Sequence, residues 1–242
     1  MKRHFGILIF LIVMGIAQTS QAFTLKLSSI NYSWGSDYVW YGVPFLPHNV
    51  PFQSFGASFS LVRAQSGEAI VSFSPYYGTG ENYEEVGISV QSSIKFGDNA
   101  RVNLTFFPFT WKFSSQSRDI GYVFGPEILI QEVNKVYLKT GLLVGLCDGR
   151  SEWNGWVGYL GLGTELLGIT VEGEVIANFH FFSSVSGRAG DIKLSKKFRF
   201  WKHPDDDEKG GFLTLFIQKF WIDKKINPDD EIVGGLSVEY NF

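Results

Sequence analysis

The feature that most constrains the fold is a two-residue alternation of apolar and polar side chains along most of the chain. In residues 85–96, valine, isoleucine and phenylalanine take nearly all even positions, and polar or small residues take the odd ones. A period of two places these sets on opposite faces of a β-strand. The same alternation recurs in residues 134–146, 169–181 and 192–200, where Phe181 falls in the apolar set. No sustained helical spacing is present, so the pattern predicts an all-β protein.

Turn-forming segments of two lengths separate the strands. Short ones lie at residues 65–67, 97–99, 133–135 and 167–168, and longer ones at 34–53, 78–84, 114–119, 148–155, 183–190 and 222–230. Short connections join antiparallel neighbours. Alternation of short with long connections is typical of an up-and-down transmembrane barrel with tight periplasmic turns and long extracellular loops. The connection at residues 201–211 interrupts this alternation, because a tight turn is due there and the segment is long.

Twelve segments have strand character. They are residues 23–33, 54–62, 69–77, 85–96, 101–113, 120–130, 135–146, 156–164, 169–182, 191–200, 212–220 and 231–242. They predict a closed antiparallel up-and-down transmembrane β-barrel of about twelve strands, or ten if one pair is over-split. Breaks in the alternation at residues 28–30 and 106–108 predict bulges or strand ends.

The amino terminus has the pattern of an export signal. Lys2 and Arg3 precede an apolar run at residues 5–16, and the small residues of Ser20-Gln21-Ala22 follow. This pattern predicts a cleaved signal peptide at residues 1–22 and a barrel at residues 23–242. The run is shorter than the roughly 20 residues that span a bilayer as a helix. With the single cysteine Cys147, expected to be a small buried or wall residue, no intrachain disulfide forms.

The overall charge is weak. The chain has 21 basic and 24 acidic residues, for a formal net charge of −3, which excludes the basic footprint of a nucleic-acid-binding protein.

Two observations favour a membrane barrel over a soluble one. The polar face is too charged for a closed soluble core, with Lys95, Glu127, Lys139, Glu172, Glu174, Lys193, Lys197, Arg199 and Glu239. Rings near strand ends predict aromatic girdles at the two membrane interfaces: Tyr38, Trp40, Tyr41, Phe109, Trp111, Phe113, Trp153, Trp156, Phe220 and Trp221. Both place the apolar face against lipid and the charged face in the lumen.

The carboxyl terminus supplies a third observation. Gly235 is followed by Val238, Tyr240 and the final Phe242. These last eight residues resemble the C-terminal targeting signal of bacterial outer-membrane barrel proteins. The resemblance implies recognition by the barrel-assembly machinery and a location in the cell outer membrane of a Gram-negative bacterium, with both termini in the periplasm.

Catalytic and metal-binding candidates are weak. Outer-membrane phospholipases and lipid A deacylases carry a histidine and a serine separated by one residue on one strand face, whereas His180 and Ser183 are separated by two and fall on opposite faces. His180 is therefore only a weak catalytic candidate, and we expect no enzyme. The acidic run at residues 205–208 lacks the spaced ligands of a calcium loop, so we expect no metal site and no cofactor.

The charged face suggests the function. Glu172 and Glu174 lie on the strand before Lys193, Lys197 and Arg199, so opposite charges pair across a hairpin. We expect a small passive channel for small polar or anionic solutes, with outer-membrane lipid and the assembly machinery as its other partners and no role for nucleic acid. The alternatives are a non-conducting surface barrel that binds partners through the loop at residues 34–53, and a lipid-acting hydrolase.

Overall fold

The computed structural model describes residues 23–41, 43–44, 46, 50–63, 69–97, 99–113, 118–131, 136–204 and 206–242. Their main feature is a closed barrel in which twelve antiparallel strands pair in chain order. The wall strands are β1 (Phe23–Gly35), β4 (Phe52–Arg63), β5 (Ala69–Gly80), β6 (Tyr83–Phe96), β7 (Ala100–Phe113), β8 (Asp119–Gln131), β9 (Val136–Asp148), β10 (Gly155–Leu166), β11 (Ile169–Phe179), β12 (Gly187–His203), β13 (Asp206–Ile222) and β14 (Glu231–Asn241). A small hairpin, β2 (Val39–Trp40) and β3 (Val43–Pro44), lies in the first long loop. The predicted twelve-stranded barrel is confirmed.

The first and last strands close the barrel. β1 pairs with β14, from Ser29 opposite Asn241 to Gly35 opposite Gly235, and with β4 on its other side. A register shift between Leu27 and Ser29 confirms the predicted irregularity near residues 28–30. The irregularity predicted at residues 106–108 is wrong, because β7 keeps an unbroken register with β8 through these residues. Apolar residues on both faces of β7 interrupt the pattern in sequence without any interruption of the strand.

Two connections differ from prediction. β5 and β6 are joined by the tight turn Glu81–Asn82, with Asn82 in the left-handed region at φ 59°, where a longer loop was expected. β12 continues to His203 and β13 begins at Asp206, so the two strands take up most of the connection that was expected to be long. Each of these strands has 17 residues, and the register between them shifts near Trp201 and His203. Most of the acidic run therefore belongs to β13.

The outer surface of the barrel is apolar. Side chains on the outward face are widely exposed, among them Ile88, Ile94, Leu142, Leu162, Val175 and Ile217. In residues 85–96, register places Glu85, Gly87 and Lys95 on the inner face and Val86, Ile88 and Ile94 on the outer face, as predicted. A closed strand barrel with such a belt lies in the bacterial outer membrane. The predicted signal peptide, residues 1–22, lies outside the described residues.

Helices contribute little to this part of the chain. A short 3-10 turn at Ser151–Trp153 follows β9. The described residues contain no helix that is both long and apolar enough to span a bilayer.

Candidate functional site in the barrel lumen

Aromatic side chains fill the lumen at the end where the long loops lie, which we call the extracellular half. This aromatic plug consists of rings from the first loop, the wall and the loop after β11: Tyr38, Trp40, Tyr41, Phe52, Tyr83, Phe107, Phe109, Trp111, Phe181 and Phe182. Trp40 of the small hairpin contacts two wall rings and two rings of the loop after β11, with centroid distances between 5.5 and 6.0 Å to Phe107, Phe109, Phe181 and Phe182. The first loop is thus folded into the barrel.

Most of the rings predicted to form aromatic girdles lie in or beside the plug instead. Phe109 and Trp111 lie on the inner face of β7 with 2% and 0% of their surface exposed, and Phe220 is buried on β13. Phe113 packs on Tyr83, and Trp153 stacks on Trp111. Tyr38, Trp40 and Tyr41 also lie inside, whereas Trp156 and Trp221 are the rings of this group that are exposed on the outer face. The apolar residues of β7 change from the outer face, up to Phe106, to the inner face from Phe107 onward, so alternation alone does not distinguish lipid from plug.

The end of β11 turns inward instead of continuing to residue 182. His180 and Phe182 adopt positive φ values of 56° and 49°, a conformation costly for residues other than glycine. The Asn178 side chain stabilises this turn, since its Nδ2 donates to the Phe181 carbonyl at 3.1 Å and its Oδ1 accepts from the Phe181 backbone amide at 2.9 Å. Phe181, predicted to face outward, is therefore fully buried in the plug.

This turn also separates the candidate catalytic residues. His180 is exposed, whereas Ser183 is buried and its Oγ accepts a hydrogen bond from the Val185 amide at 3.3 Å. Among the described residues, no three His, Cys, Asp or Glu side chains are grouped to hold a metal ion. His48 and Asp205 lie outside the described residues. The single thiol, Cys147, is buried on the inner face of β9.

A buried carboxylate anchors the first loop to the wall. Glu85 of β6 is 1% exposed and accepts a hydrogen bond from Tyr38 Oη of the loop at 2.9 Å and one from Tyr83 Oη at 2.5 Å. Tyr38 also stacks on Phe52, with ring centroids 4.1 Å apart. Burial, followed by the charge of Glu85, raises the pKa of the Tyr38 hydroxyl well above its usual value, so this group remains a donor. Sequence analysis placed Glu85 on the polar face without giving it a role.

Charged side chains line the other half of the lumen, toward the short turns, which we call the periplasmic half. Lys139 Nζ lies 2.7 Å from Glu174, Lys193 Nζ 3.8 Å from Glu172, and Lys197 Nζ 3.2 Å from Glu239. The Glu172–Lys193 pair spans the hairpin as predicted, while Glu174 pairs with Lys139 of β9, two strands away. Lys139 reaches it across Gly161, where a Cβ atom would come within 2.7 Å of the lysine Cε.

The other predicted lumen residues also lie on the inner face. Glu127 accepts hydrogen bonds from Tyr159 Oη at 2.5 Å and Asn103 Nδ2 at 3.1 Å, and Tyr137 donates to Glu172. Arg199 lies over the Phe212 ring at 5.0 Å. Lys95 is opposite Arg101 beside a periplasmic turn.

Two cavities lie beside the small hairpin. The upper cavity, about 370 Å³, is bounded mainly by Ser33, Asp37, Tyr38, Trp40, Tyr76, Glu85, Phe107 and Phe216. The lower cavity, about 170 Å³, is bounded mainly by Tyr41, Lys139, Glu172, Glu174, Asp191 and Lys193. Val39, Gln218 and Phe220 border both. The hairpin therefore lies between an aromatic space and a charged one.

The carboxyl-terminal residues complete the wall. Val238 and Tyr240 pair with Tyr32 and Ile30 of β1, and the Phe242 amide donates to the Ser28 carbonyl at 3.0 Å. Tyr240 stacks on Trp201 with centroids 5.3 Å apart, and Phe242 is exposed. A Cβ atom added to Gly235 would lie 2.3 Å from the carbonyl oxygen of Trp34, so a side chain at this position would displace β1.

No known protein family and no curated protein matches the chain. The fold is similar to those of several solved structures. The KdgM porin has a TM-score of 0.58 at 12% identity over 88% of this chain and 99% of that one, and the same porin in complex with disordered oligogalacturonate has 0.59 with the same identity and coverage. The translocator domain of autotransporter NalP from Neisseria meningitidis has 0.45 at 11% identity, over 100% of this chain and 96% of that one. The likeness to the KdgM porin shows a shared porin-type fold.

Proposed function

We propose that the protein is a narrow outer-membrane diffusion channel for small polar solutes, whose width is set by the inward-folded first loop. The observation that carries this proposal is the charged inner face of the periplasmic half, where ion pairs line the wall beside the lower cavity. Charged groups on a lumen face interact with passing ions and hold water there.

The charge distribution supports a preference for anions at the periplasmic mouth. Lys197 and Arg199 lie there on β12, and Lys95 and Arg101 face each other beside a turn. Glu239 is the acidic partner of Lys197, with both side chains substantially exposed. Basic side chains in a narrow lumen raise the local concentration of anions. Chloride and small organic anions therefore enter this mouth more readily than cations.

The small hairpin provides the constriction. Its rings pack against the wall and against Phe181 and Phe182, and the Tyr38–Glu85 hydrogen bond fixes its start. Solutes pass only through the space the hairpin leaves or during its displacement, so we expect small conductance steps. The described part of the first loop is folded into the lumen, which favours this role over partner binding at the cell surface.

Conductance of the refolded mature chain in planar bilayers tests the proposal. We expect stepwise currents and, under a potassium chloride gradient, a reversal potential of the sign for chloride preference. The Lys197→Gln/Arg199→Gln double variant should shift that potential toward zero, whereas Lys224→Gln in the loop after β13 should not. Because the similar porin was solved with oligogalacturonate, galacturonate serves as a second anion. A folded barrel that inserts and carries no current contradicts the proposal.

A further inference from the structure

We propose that the upper cavity binds a small organic cation, an ammonium group carried on a molecule about the size of choline. Binding here does not depend on conduction, because the site is formed by the wall and the first loop alone. The cavity volume of about 370 Å³ lies within the roughly 300–1,000 Å³ range of small-molecule sites.

The walls of the upper cavity are rich in aromatic rings. Tyr76 stacks on Phe107 with centroids 5.5 Å apart, Tyr38 stacks on Phe52, and Trp40 meets Phe107 edge to face. Phe216 and Phe220 border the cavity from β13. Aromatic rings attract cations through the negative potential of their faces, most strongly where water is excluded. The aromatic walls therefore favour a weakly hydrated cation with apolar substituents over a metal ion.

Glu85 gives this cavity a negative charge. The carboxylate is 1% exposed and borders the cavity, and its hydrogen bonds come from the neutral hydroxyls of Tyr38, Tyr76 and Tyr83. Such bonds satisfy the oxygen atoms without balancing the charge, and a buried charge is costly unless an opposite charge is near. Among the described residues that line the cavity there is no lysine, arginine or histidine. A bound ammonium group supplies the missing positive charge.

Asp37 strengthens the preference of the upper cavity for a cation. It lies at the start of the first loop, is 7% exposed, and borders the same cavity. Asp37 and Glu85, with several rings around the same cavity, attract a cation and repel an anion of the same size. The upper cavity thus differs in sign from the basic periplasmic mouth.

Calorimetric titration of the full mature chain, refolded in detergent, tests this site with a matched pair of probes. Choline is the cation, and 3,3-dimethyl-1-butanol is its neutral counterpart of nearly the same shape. We expect choline to bind about tenfold more tightly, as one cation–π contact in a desolvated site provides. Glu85→Gln and Asp37→Asn should each reduce choline affinity and leave dimethylbutanol unchanged. Glu84→Gln is the control, because Glu84 faces outward toward Arg118.

Folding is checked by the heat-dependent gel shift of each variant. If Glu85→Gln does not fold, Asp37→Asn alone decides the test, since Asp37 lies in a loop. Equal binding of choline and dimethylbutanol overturns the proposal, and so does unchanged choline affinity in the folded variants. Either result would mean that Glu85 is protonated and needs no opposite charge.

Discussion

The extracellular half of the lumen is packed with aromatic rings, whereas the periplasmic half of the same strands carries lysines, arginines and carboxylates. β7 shows the change along one inner face, which presents Arg101, Asn103 and Thr105 and then Phe107, Phe109 and Trp111. The outer face of the same strand is apolar as far as Phe106 and ends with Thr110 and Lys112. An inward position therefore does not by itself make a strand face polar. It is polar where it meets water and ions, and apolar where a folded loop covers it.

The two halves also differ in how they stabilise the barrel. Each buried ring removes a large apolar area from water, and rings in contact add about 0.5–1.5 kcal/mol beyond that area. The ion pairs of the periplasmic half are partly exposed, and such pairs contribute about 1 kcal/mol or less. Stability should therefore depend more on the plug, while ion preference should depend more on the charged half.

The largest effect is expected from Trp111→Ala. Trp111 is fully buried, so its removal should lower the free energy of unfolding by about 3–5 kcal/mol. Urea unfolding in lipid vesicles, followed by tryptophan fluorescence and the gel shift, measures the loss. Trp221→Ala is the matched control, because that ring is 42% exposed on the outer face. Equal losses in the two variants would contradict the distinction between plug and wall.

A smaller effect is expected from Lys139→Gln. It leaves the largely buried Glu174 without its partner at 2.7 Å, and we expect a loss of about 1–2 kcal/mol, between the values for exposed and buried pairs. In the same unfolding measurement Lys197→Gln, which breaks an exposed pair, should lose less than about 0.5 kcal/mol. A larger loss for Lys197→Gln would reverse the order of burial inferred here.

Among the three principal variants, Tyr38→Phe is expected to have the smallest effect on stability. The ring keeps its stacking on Phe52 and the hydrogen bond to Glu85 is lost, at about 1 kcal/mol. Because that bond fixes the start of the constriction, the variant should conduct more than the wild type in planar bilayers. Tyr32→Phe is the control, since Tyr32 donates to an exposed glutamine. Unchanged conductance in Tyr38→Phe would show that ring packing alone holds the loop.

The sequence predicted the strands of the barrel wall much better than the side chains and the loop that fill the lumen. Strict alternation in residues 85–96 determined inner and outer faces, and the pairing of Glu172 with Lys193 followed from their places on adjacent strands. The position of Lys139 beside Glu174 was not predictable, because it depends on Gly161 leaving space for a side chain two strands away. Local spacing contains no information about contacts across an intervening strand.

The plug was missed for a related reason. Phe109, Trp111 and Phe113 alternate with the polar residues Thr110 and Lys112, which is the pattern of a lipid-facing strand, so they look the same in sequence whether lipid or a loop covers them. One signal did exist, since the rings of residues 38–41 lie in a connection that a membrane barrel normally exposes. Together with Glu85, which follows Tyr83 by two residues, these rings indicate a loop that returns to the wall.

The change of face of the apolar residues along β7 has a consequence for how the strands align during assembly. A slip of one residue exchanges the two faces of a strand. In the extracellular half that exchange would take Phe107, Phe109 and Trp111 out of the plug. In the periplasmic half it would turn Asn103 out to the lipid and break its hydrogen bond to Glu127. Both halves of the strand therefore oppose the same slip, one through apolar packing and the other through polar contacts.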